Sequence, residues 1–287
     1  MGRLLIVLLS ILSVADAAGA QSIEWWAAAG GAVAGGAGKL TSSYSPPLLL
    51  DGEFTSHGAQ SLTVDTSLGM AFAGGVDVFL TPRAGLRIMF DRANYDVTGT
   101  NGPYGFALDF TTHQPPDDRP QAIAVRQTVP RPDTAGSLTQ LAIAFDAIVR
   151  IGATNRVNVT LSGGPHVSRL SGTLRPLAYT AWELGGHATL FEDDYELAVH
   201  VAPSYGVGFN AGVELNTPVT RRTAFIAALR YFHRGGATTL GTPSAILNAD
   251  RLLFAQPLDE VVLRIGALPV SASVSGARVL AGLKVIP

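Results

Sequence analysis

Alternation with a period of two, sustained over runs of 11 residues or more, is the feature that most limits what this chain can fold into. In residues 67–80 the even positions are Leu68, Met70, Phe72, Gly74, Val76, Val78 and Leu80. The odd positions are Ser67, Gly69, Ala71, Ala73, Gly75 and Asp77, with Phe79 the exception. Residues 140–150 place Leu141, Ile143, Phe145, Ala147 and Val149 on one face. Gln140, Ala142, Ala144, Asp146 and Arg150 lie on the other, and Ile148 breaks the pattern. In residues 197–215, Leu197, Val199, Val201, Tyr205, Val207, Phe209, Val213 and Leu215 share a face, opposite His200, Ser204, Gly206, Gly208, Asn210, Gly212 and Glu214. This period is that of a β-strand. Globular strands peak near ~5–6 residues, whereas a tilted strand crossing a bilayer takes about 9–11.

The second face of these strands is small as well as polar. A sheet face turned to water more often carries Lys, Glu and Thr. Gly, Ala and Ser with spaced charges suit the crowded inside of a narrow barrel, which turns the apolar face outward into lipid. Composition agrees. The 287 residues are 47% hydrophobic and 15% charged, with 32 Gly, against about 25% charged residues in average soluble domains. Beyond the N-terminal segment no run reaches the ~18 apolar residues of a membrane helix. The absence of Cys excludes a disulfide scaffold, an iron–sulfur protein and a cysteine-ligated zinc site. A formal charge of −2 gives no reason to expect nucleic acid as a partner.

Residues 1–20 read as a secretory signal: Arg3, the apolar core Leu4 to Leu12 interrupted only by Ser10, and an A-x-A site at Ala18-Gly19-Ala20. A mature chain of residues 21–287 is expected, forming one domain. Within it eight strands are predicted, near 22–36, 67–80, 85–96, 138–151, 156–171, 197–215, 223–234 and 270–286. The first fits either register, and the last switches face at Gly276, as a β-bulge would make it do. Short turns join strands 2–3, 4–5 and 6–7: Thr81-Pro82-Arg83-Ala84, Gly152-Ala153-Thr154-Asn155, and Asn216 to Arg222. Long polar segments, near 37–66, 97–137, 172–196 and 235–269, make the other connections, and the second is expected to be mostly irregular. The fold expected is an all-β, eight-stranded antiparallel up-and-down transmembrane β-barrel with short periplasmic turns and four long extracellular loops.

Two segments carry a resemblance. Gly75-Val-Asp-Val-Phe-Leu-Thr-Pro-Arg-Ala-Gly-Leu-Arg87 and Gly208-Phe-Asn-Ala-Gly-Val-Glu-Leu-Asn-Thr-Pro-Val-Thr-Arg-Arg222 each read as a strand running into a periplasmic turn. In this and in its overall pattern the chain resembles the small bacterial outer-membrane β-barrel proteins, the group that includes outer-membrane protein W and the barrel domain of outer-membrane protein A. Such proteins commonly end in an aromatic residue, whereas this sequence ends Val285-Ile286-Pro287. The resemblance implies a place in the bacterial outer membrane. It implies outer-membrane lipids and lipopolysaccharide as surroundings, and the barrel-insertion machinery as a partner in biogenesis. Some relatives of the protein W group are thought to pass small hydrophobic molecules sideways into the membrane. Any external partner is left open.

Carrying the alternation inward gives a lumen list. Its acids are Asp77, Asp91, Asp146 and Glu214, with Glu24 added in one register of the first strand. Its bases are Arg87, Arg150, Arg230, Arg278 and Lys284, with Arg234 near the rim. Eight strands enclose just enough room for side chains, and buried charges there must pair. A solid, salt-bridged plug is expected; a charged conduit is the alternative.

Other residues carry candidate chemistry. His166-Val167-Ser168 has the His-x-Ser spacing used by outer-membrane lipid A deacylases, and side chains at i and i+2 share a strand face. The alternation points both inward, away from a lipid substrate, and the nearest downstream acid, Glu183, falls in an expected loop. His187, Glu192, Asp193 and Asp194 are expected to be a solvated acidic loop rather than a cation site. His57, His113, His200 and His233 have no metal-ligand spacing. Gly30-Gly31 and Gly35-Gly36 lack the residues of a phosphate loop. Trp25, Trp26, Tyr95, Tyr205, Tyr231 and Phe232 are expected in the wall or an interface girdle. Apolar stretches at Pro46 to Leu50, Phe106 to Phe110 and Arg251 to Phe254 fit loops packed on one another. The expectation is a non-enzymatic barrel without cofactor or metal, either structural or handling small hydrophobic solutes. Adhesion through the loops, and lipid A hydrolysis at His166 and Ser168, are the alternatives.

Overall fold

The computed structural model describes residues 22–34, 40–44, 54–101, 104–114, 119–129, 134–152, 157–185, 189–235, 237–250, 259, 268–272 and 275–286. The signal segment 1–20, most of the turn at 153–156, His187 and the apolar stretches Pro46 to Leu50 and Arg251 to Phe254 lie outside the described residues. The strands are β1 (Ser22–Ala34), β2 (Leu40–Tyr44), β3 (Phe54–Phe79), β4 (Ala84–Asn101), β5 (Tyr104–Gln114), β6 (Arg119–Val129) and β7 (Thr134–Gly152). They continue as β8 (Asn158–Gly185), β9 (Thr189–Pro218), β10 (Thr223–Arg234), β11 (Ala237–Asp250), β12 (Leu268–Ala272) and β13 (Gly276–Val285). No described helix is long and apolar enough to cross a membrane.

Eight of these strands close on themselves. Going round, β1 pairs with β3, then come β4, β7, β8, β9, β10 and β13, and β13 returns to β1, every pair antiparallel. Closure leaves no unpaired edge along this ring. Its slant is legible in the register. From Phe72 on β3, one row of partners runs through Arg92, Leu141 and Arg169 to Tyr205 on β9. Followed the other way round, through Ala29, Ala281 and Ala227, it reaches β9 at Leu215. The two arrivals are ten residues apart, so the strands must tilt steeply, by about 40° as in narrow barrels generally.

The apolar faces point out of this ring. Leu68, Met70, Phe72, Phe90, Phe145, Val167, Tyr205, Val207 and Phe209 are all exposed, Tyr205 by as much as 70%. Inside, Asp77, Asp91, Arg278 and Arg234 are completely buried. Small residues make the space for them: Ala32, Ala71, Ala93 and Ala144 also face inward with no exposure. This inverts the arrangement of a water-soluble domain, where ionised groups lie outside. Phe79 and Ile148, the two breaks in the alternation, stay in register as apolar members of the inner face.

Four expectations are corrected. The long connections contain more strand than their sequence suggests: β3, β4, β7, β8 and β9 run far past the barrel, and β5 and β6 form a hairpin whose β5 edge pairs with β3. Phe106 to Phe110 lies in β5, and Glu183 and Glu192 to Asp194 lie in the β8–β9 ladder, not in loops. The last predicted strand is two, β12 and β13, separated before Gly276. Leu197, Val199 and Val201 face inward, although Tyr205 faces outward. The reason is a bulge on β9: Leu170 pairs with Ser204 but Gly172 with Val201, so three β9 residues stand against two of β8. The extra residue beside Pro203 flips the parity of everything before it. Finally, Trp26, Tyr95 and Phe232 are lumen residues, not girdle residues.

Above the ring, β11, β12 and β2 take the places of β10, β13 and β1 between β9 and β3. At this level β10 ends at Arg234 and β13 begins at Gly276, and the described part of β1 ends at Ala34. Across this level β9 goes from pairing at Gly208 with β10 to pairing at Val201 with β11. The β12–β2 closure above it consists of two residue pairs, Val270 with Ser42 and Ser271 with Thr41.

Candidate functional site

The lumen holds the chain's chemistry. Inward positions on neighbouring strands are cross-strand partners, so alternation on each strand brings together charges distant in sequence. Asp77 and Arg87 are direct partners across β3 and β4. The Arg87 guanidinium donates from Nε to Asp77 Oδ1 (2.6 Å) and from Nη2 to Oδ2 (2.7 Å), a two-pronged geometry that arginine matches to carboxylate. Trp26 Nε1 donates to Asp77 Oδ1 at 3.1 Å, and Lys284 Nζ donates to Oδ2 at 3.0 Å. One carboxylate therefore accepts from side chains on three other strands.

From this hub the pairing continues both ways. Lys284 Nζ also lies 2.6 Å from Glu214 Oε1 and 3.6 Å from Glu24 Oε2. Glu24 accepts from Arg150 Nη2 at 2.7 Å. Arg87 Nη2 is 2.9 Å from Glu214 Oε2, and Arg230 is paired with Asp146 at 3.1 Å. Asp146 accepts a further bond from Asn210 Nδ2 at 2.8 Å. Read in order, Arg150, Glu24, Lys284, Asp77, Arg87, Glu214, Arg230 and Asp146 form one chain of strictly alternating sign. Four positive and four negative groups come from every strand of the ring except β8. Aromatic rings pack among these charges: Arg87 and Arg230 lie over the Trp26 ring at 4.8 and 5.4 Å, and Arg150 over Phe79 at 4.0 Å.

A second cluster sits nearer the level at which β9 changes partner. Arg278 lies 3.4 Å from Asp91 and donates to Gln140 Oε1 at 2.9 Å. Its guanidinium faces Tyr95 and Phe232, at 5.4 and 4.8 Å. Phe232 meets His166 edge-on, at 5.3 Å between centroids. Arg234 donates to the Ser204 carbonyl and hydroxyl at 3.2 and 3.0 Å. Glycines on β9 make the room. A Cβ at Gly206, Gly208 or Gly212 would crowd Arg234, His166 or Arg230 respectively, each within 3.0 Å.

All nine sequence-derived lumen residues are thus in the barrel interior, eight of them fully buried and Arg150 at its lower end. Seven join the alternating chain, whereas Asp91 and Arg278 form the separate upper pair. Glu24 belongs to the chain. Trp26, Tyr95 and Phe232 join them in the lumen, where a wall or girdle place was expected, and Gln140 and Asn210 lie on the small polar face to which the alternation assigns them. Each stands an even number of residues from a charged inward position on its own strand, and that parity was the available signal. His166 and Ser168 are both buried. Ser168 Oγ bonds the Gly206 carbonyl at 3.5 Å, and His166 contacts Phe232. No described carboxylate bonds either ring nitrogen of His166. Among the described residues no group of three or more His, Asp or Glu is placed to hold a metal ion.

No protein-family model matches the chain, and no curated relative matches it in sequence. Among solved structures it is similar to the outer membrane protein OprG from Pseudomonas aeruginosa, at 9% identity and a TM-score of 0.44, over 93% of this chain and 96% of that one. It is also similar to the outer membrane protease OmpT from Escherichia coli, at 9% identity and a TM-score of 0.39, over 93% of this chain and 97% of that one. Its structural neighbours are outer-membrane β-barrel proteins. The likeness is one of fold alone.

Proposed function

We propose that the chain is an integral barrel of the bacterial outer membrane, without enzymatic activity, whose lower lumen is a solid ion-paired plug. One observation carries this: the ring is closed, with greasy side chains outside and an alternating chain of ionised ones inside. Bilayer-spanning strands need closure, because lipid offers no hydrogen bonds to a free edge. Along β8 the outward positions Val159, Leu161, Gly163, Pro165 and Val167 are apolar or small, and the first charged one is Arg169. Ten residues of strand at ~3.4 Å, tilted, span about 25 Å of membrane normal, the height of an outer-membrane apolar band. Outer-membrane lipids, lipopolysaccharide and the insertion machinery are the partners that follow from such a location.

Handling of small hydrophobic solutes is favoured as the activity by the change of partner along β9, from β10 at Gly208 to β11 at Val201. It lies beside Tyr205 and Val207, among the most exposed large apolar side chains. Hydrolysis at His166 and Ser168 is disfavoured by their burial inside the wall. Extraction and gel migration test the proposal. The chain is expected to resist alkaline carbonate, to need detergent, and to migrate faster unboiled than boiled. A carbonate-soluble protein with no such shift would overturn it.

A further inference from the structure

Every lumen arginine of the ion-paired chain and of the upper pair has a carboxylate opposite it. The outer face has arginines with none. Arg92 on β4 and Arg169 on β8 both point out of the barrel and are exposed. Neither has an ion-pair partner among the described residues. They lie on a single cross-strand row: Arg92 pairs with Leu141 of β7, and Leu141 pairs with Arg169. Two strand spacings separate them, roughly 10 Å between backbones, which is within joint reach of two arginine side chains.

The row below is purely apolar: Phe90, Ile143, Val167 and Val207 are consecutive partners and all are exposed. The row above consists of hydrogen-bonding groups, Asn94, Thr139 and Ser171, again consecutive partners. Arg92 Nε reaches up to Asn94 Oδ1 at 3.4 Å, and Thr139 Oγ1 donates to the same oxygen at 3.0 Å. Asp96, exposed on the same face of β4 two rows above Arg92, is already engaged. The two guanidinium groups therefore stand where an apolar belt gives way to polar surface, on the side away from the short turns. Unpaired cations at such a boundary are favourable when an anion meets them.

We propose that Arg92 and Arg169, bracketing Leu141, form a clamp for the phosphate of a glycolipid of the outer leaflet, whose acyl chains lie against Phe90, Ile143 and Val167. Guanidinium suits this role because it presents paired donors to phosphate oxygens. The clamp rests on the membrane location proposed above and adds a specific lipid chemistry to it.

The test uses the folded mature chain with vesicles of phosphatidylcholine containing either diphosphorylated lipid A or its dephosphorylated form, followed by flotation and native mass spectrometry of the released barrel. Wild-type protein is expected to float with both vesicles and to retain the phosphorylated lipid at least tenfold better. Arg92→Gln/Arg169→Gln is expected to float equally, to keep its unboiled gel shift, and to lose that preference. Arg92→Lys is expected to keep part of it. Equal retention of both lipids by the wild type, marking ordinary interfacial arginines, overturns the clamp. So does protection of the site by inorganic phosphate at the same phosphate concentration, which would mark a free-anion site. Failure of the wild type to float with either vesicle would instead overturn the membrane location itself.

Discussion

Arg230 and Arg278 stand directly opposite each other on β10 and β13, and their guanidinium groups turn to different layers of the lumen. Arg230 turns to Asp146 and Glu214, whereas Arg278 turns to Asp91 and Gln140. Like charges opposed across strands repel. Here each is drawn off by its own carboxylate, so a repulsive pair becomes the link between two clusters. Asp91→Ala removes the only acid paired with Arg278 among the described residues. It is expected to cost about 3–5 kcal/mol, the penalty of a buried charge left alone. Asp91→Leu combined with Arg278→Met, which removes both charges, is expected to recover most of that loss. Urea titration of the compact gel band measures both.

The proposed plug is built on the alternating chain through Asp77 and Glu214. In planar bilayers the wild-type barrel is therefore expected to insert without a steady ionic current. A stable conductance would show the interior to be open and would overturn the plug.

Mid-belt positions should reject charge and boundary positions accept it. Phe145→Arg is expected to lower stability by about 2–4 kcal/mol, and Ser171→Arg by about 0–1 kcal/mol. Equal penalties at the two positions would mean that the exposed apolar face does not meet lipid. Equilibrium refolding into lipid vesicles across a urea series gives the comparison.

Gly212 leaves space that the Arg230 side chain uses; a Cβ there would lie 2.8 Å from Arg230 Cγ. Gly212→Val is expected to displace Arg230 from Asp146 and to cost about 1–3 kcal/mol through overpacking. The cost should shrink when Arg230 is itself truncated. A double-mutant cycle on the same unfolding assay reads the coupling.

Two turns at the short-turn end use the same device. Thr81 Oγ1 accepts from the Arg83 and Ala84 amides at 3.3 and 2.9 Å. Thr220 Oγ1 accepts from the Arg222 and Thr223 amides at 3.1 and 3.0 Å. The carbonyls of Arg83 and Arg222 then accept from Arg150 N and Ile286 N on neighbouring strands. Thr81→Val and Thr220→Val are each expected to cost about 1 kcal/mol, additively, since the turns lie far apart on the ring.

Much of this protein was decided locally. Period-two alternation over Leu68 to Leu80 and Gln140 to Arg150 determined strand, length and face, because successive side chains of an extended backbone must point to opposite sides. It determined too that Asp77, Arg87, Asp146 and Arg278 share an enclosed space. Parity fails wherever backbone pairing inserts a residue. The bulge beside Pro203, which turned Leu197 to Val201 inward, has one local mark, a proline that cannot donate to a ladder, but where the ladder shifts depends on how β8 meets β9. Which acid meets which base depends on the ten-residue stagger of the closed ring, a property of all eight strands together. So does the change of partner along β9 from β10 to β11, and so does the row that brings Arg92 and Arg169 to either side of Leu141. A sequence sets the side on which each residue stands. Only closure of the barrel sets its height against residues elsewhere in the chain, because register is fixed by pairing across strands and not along them.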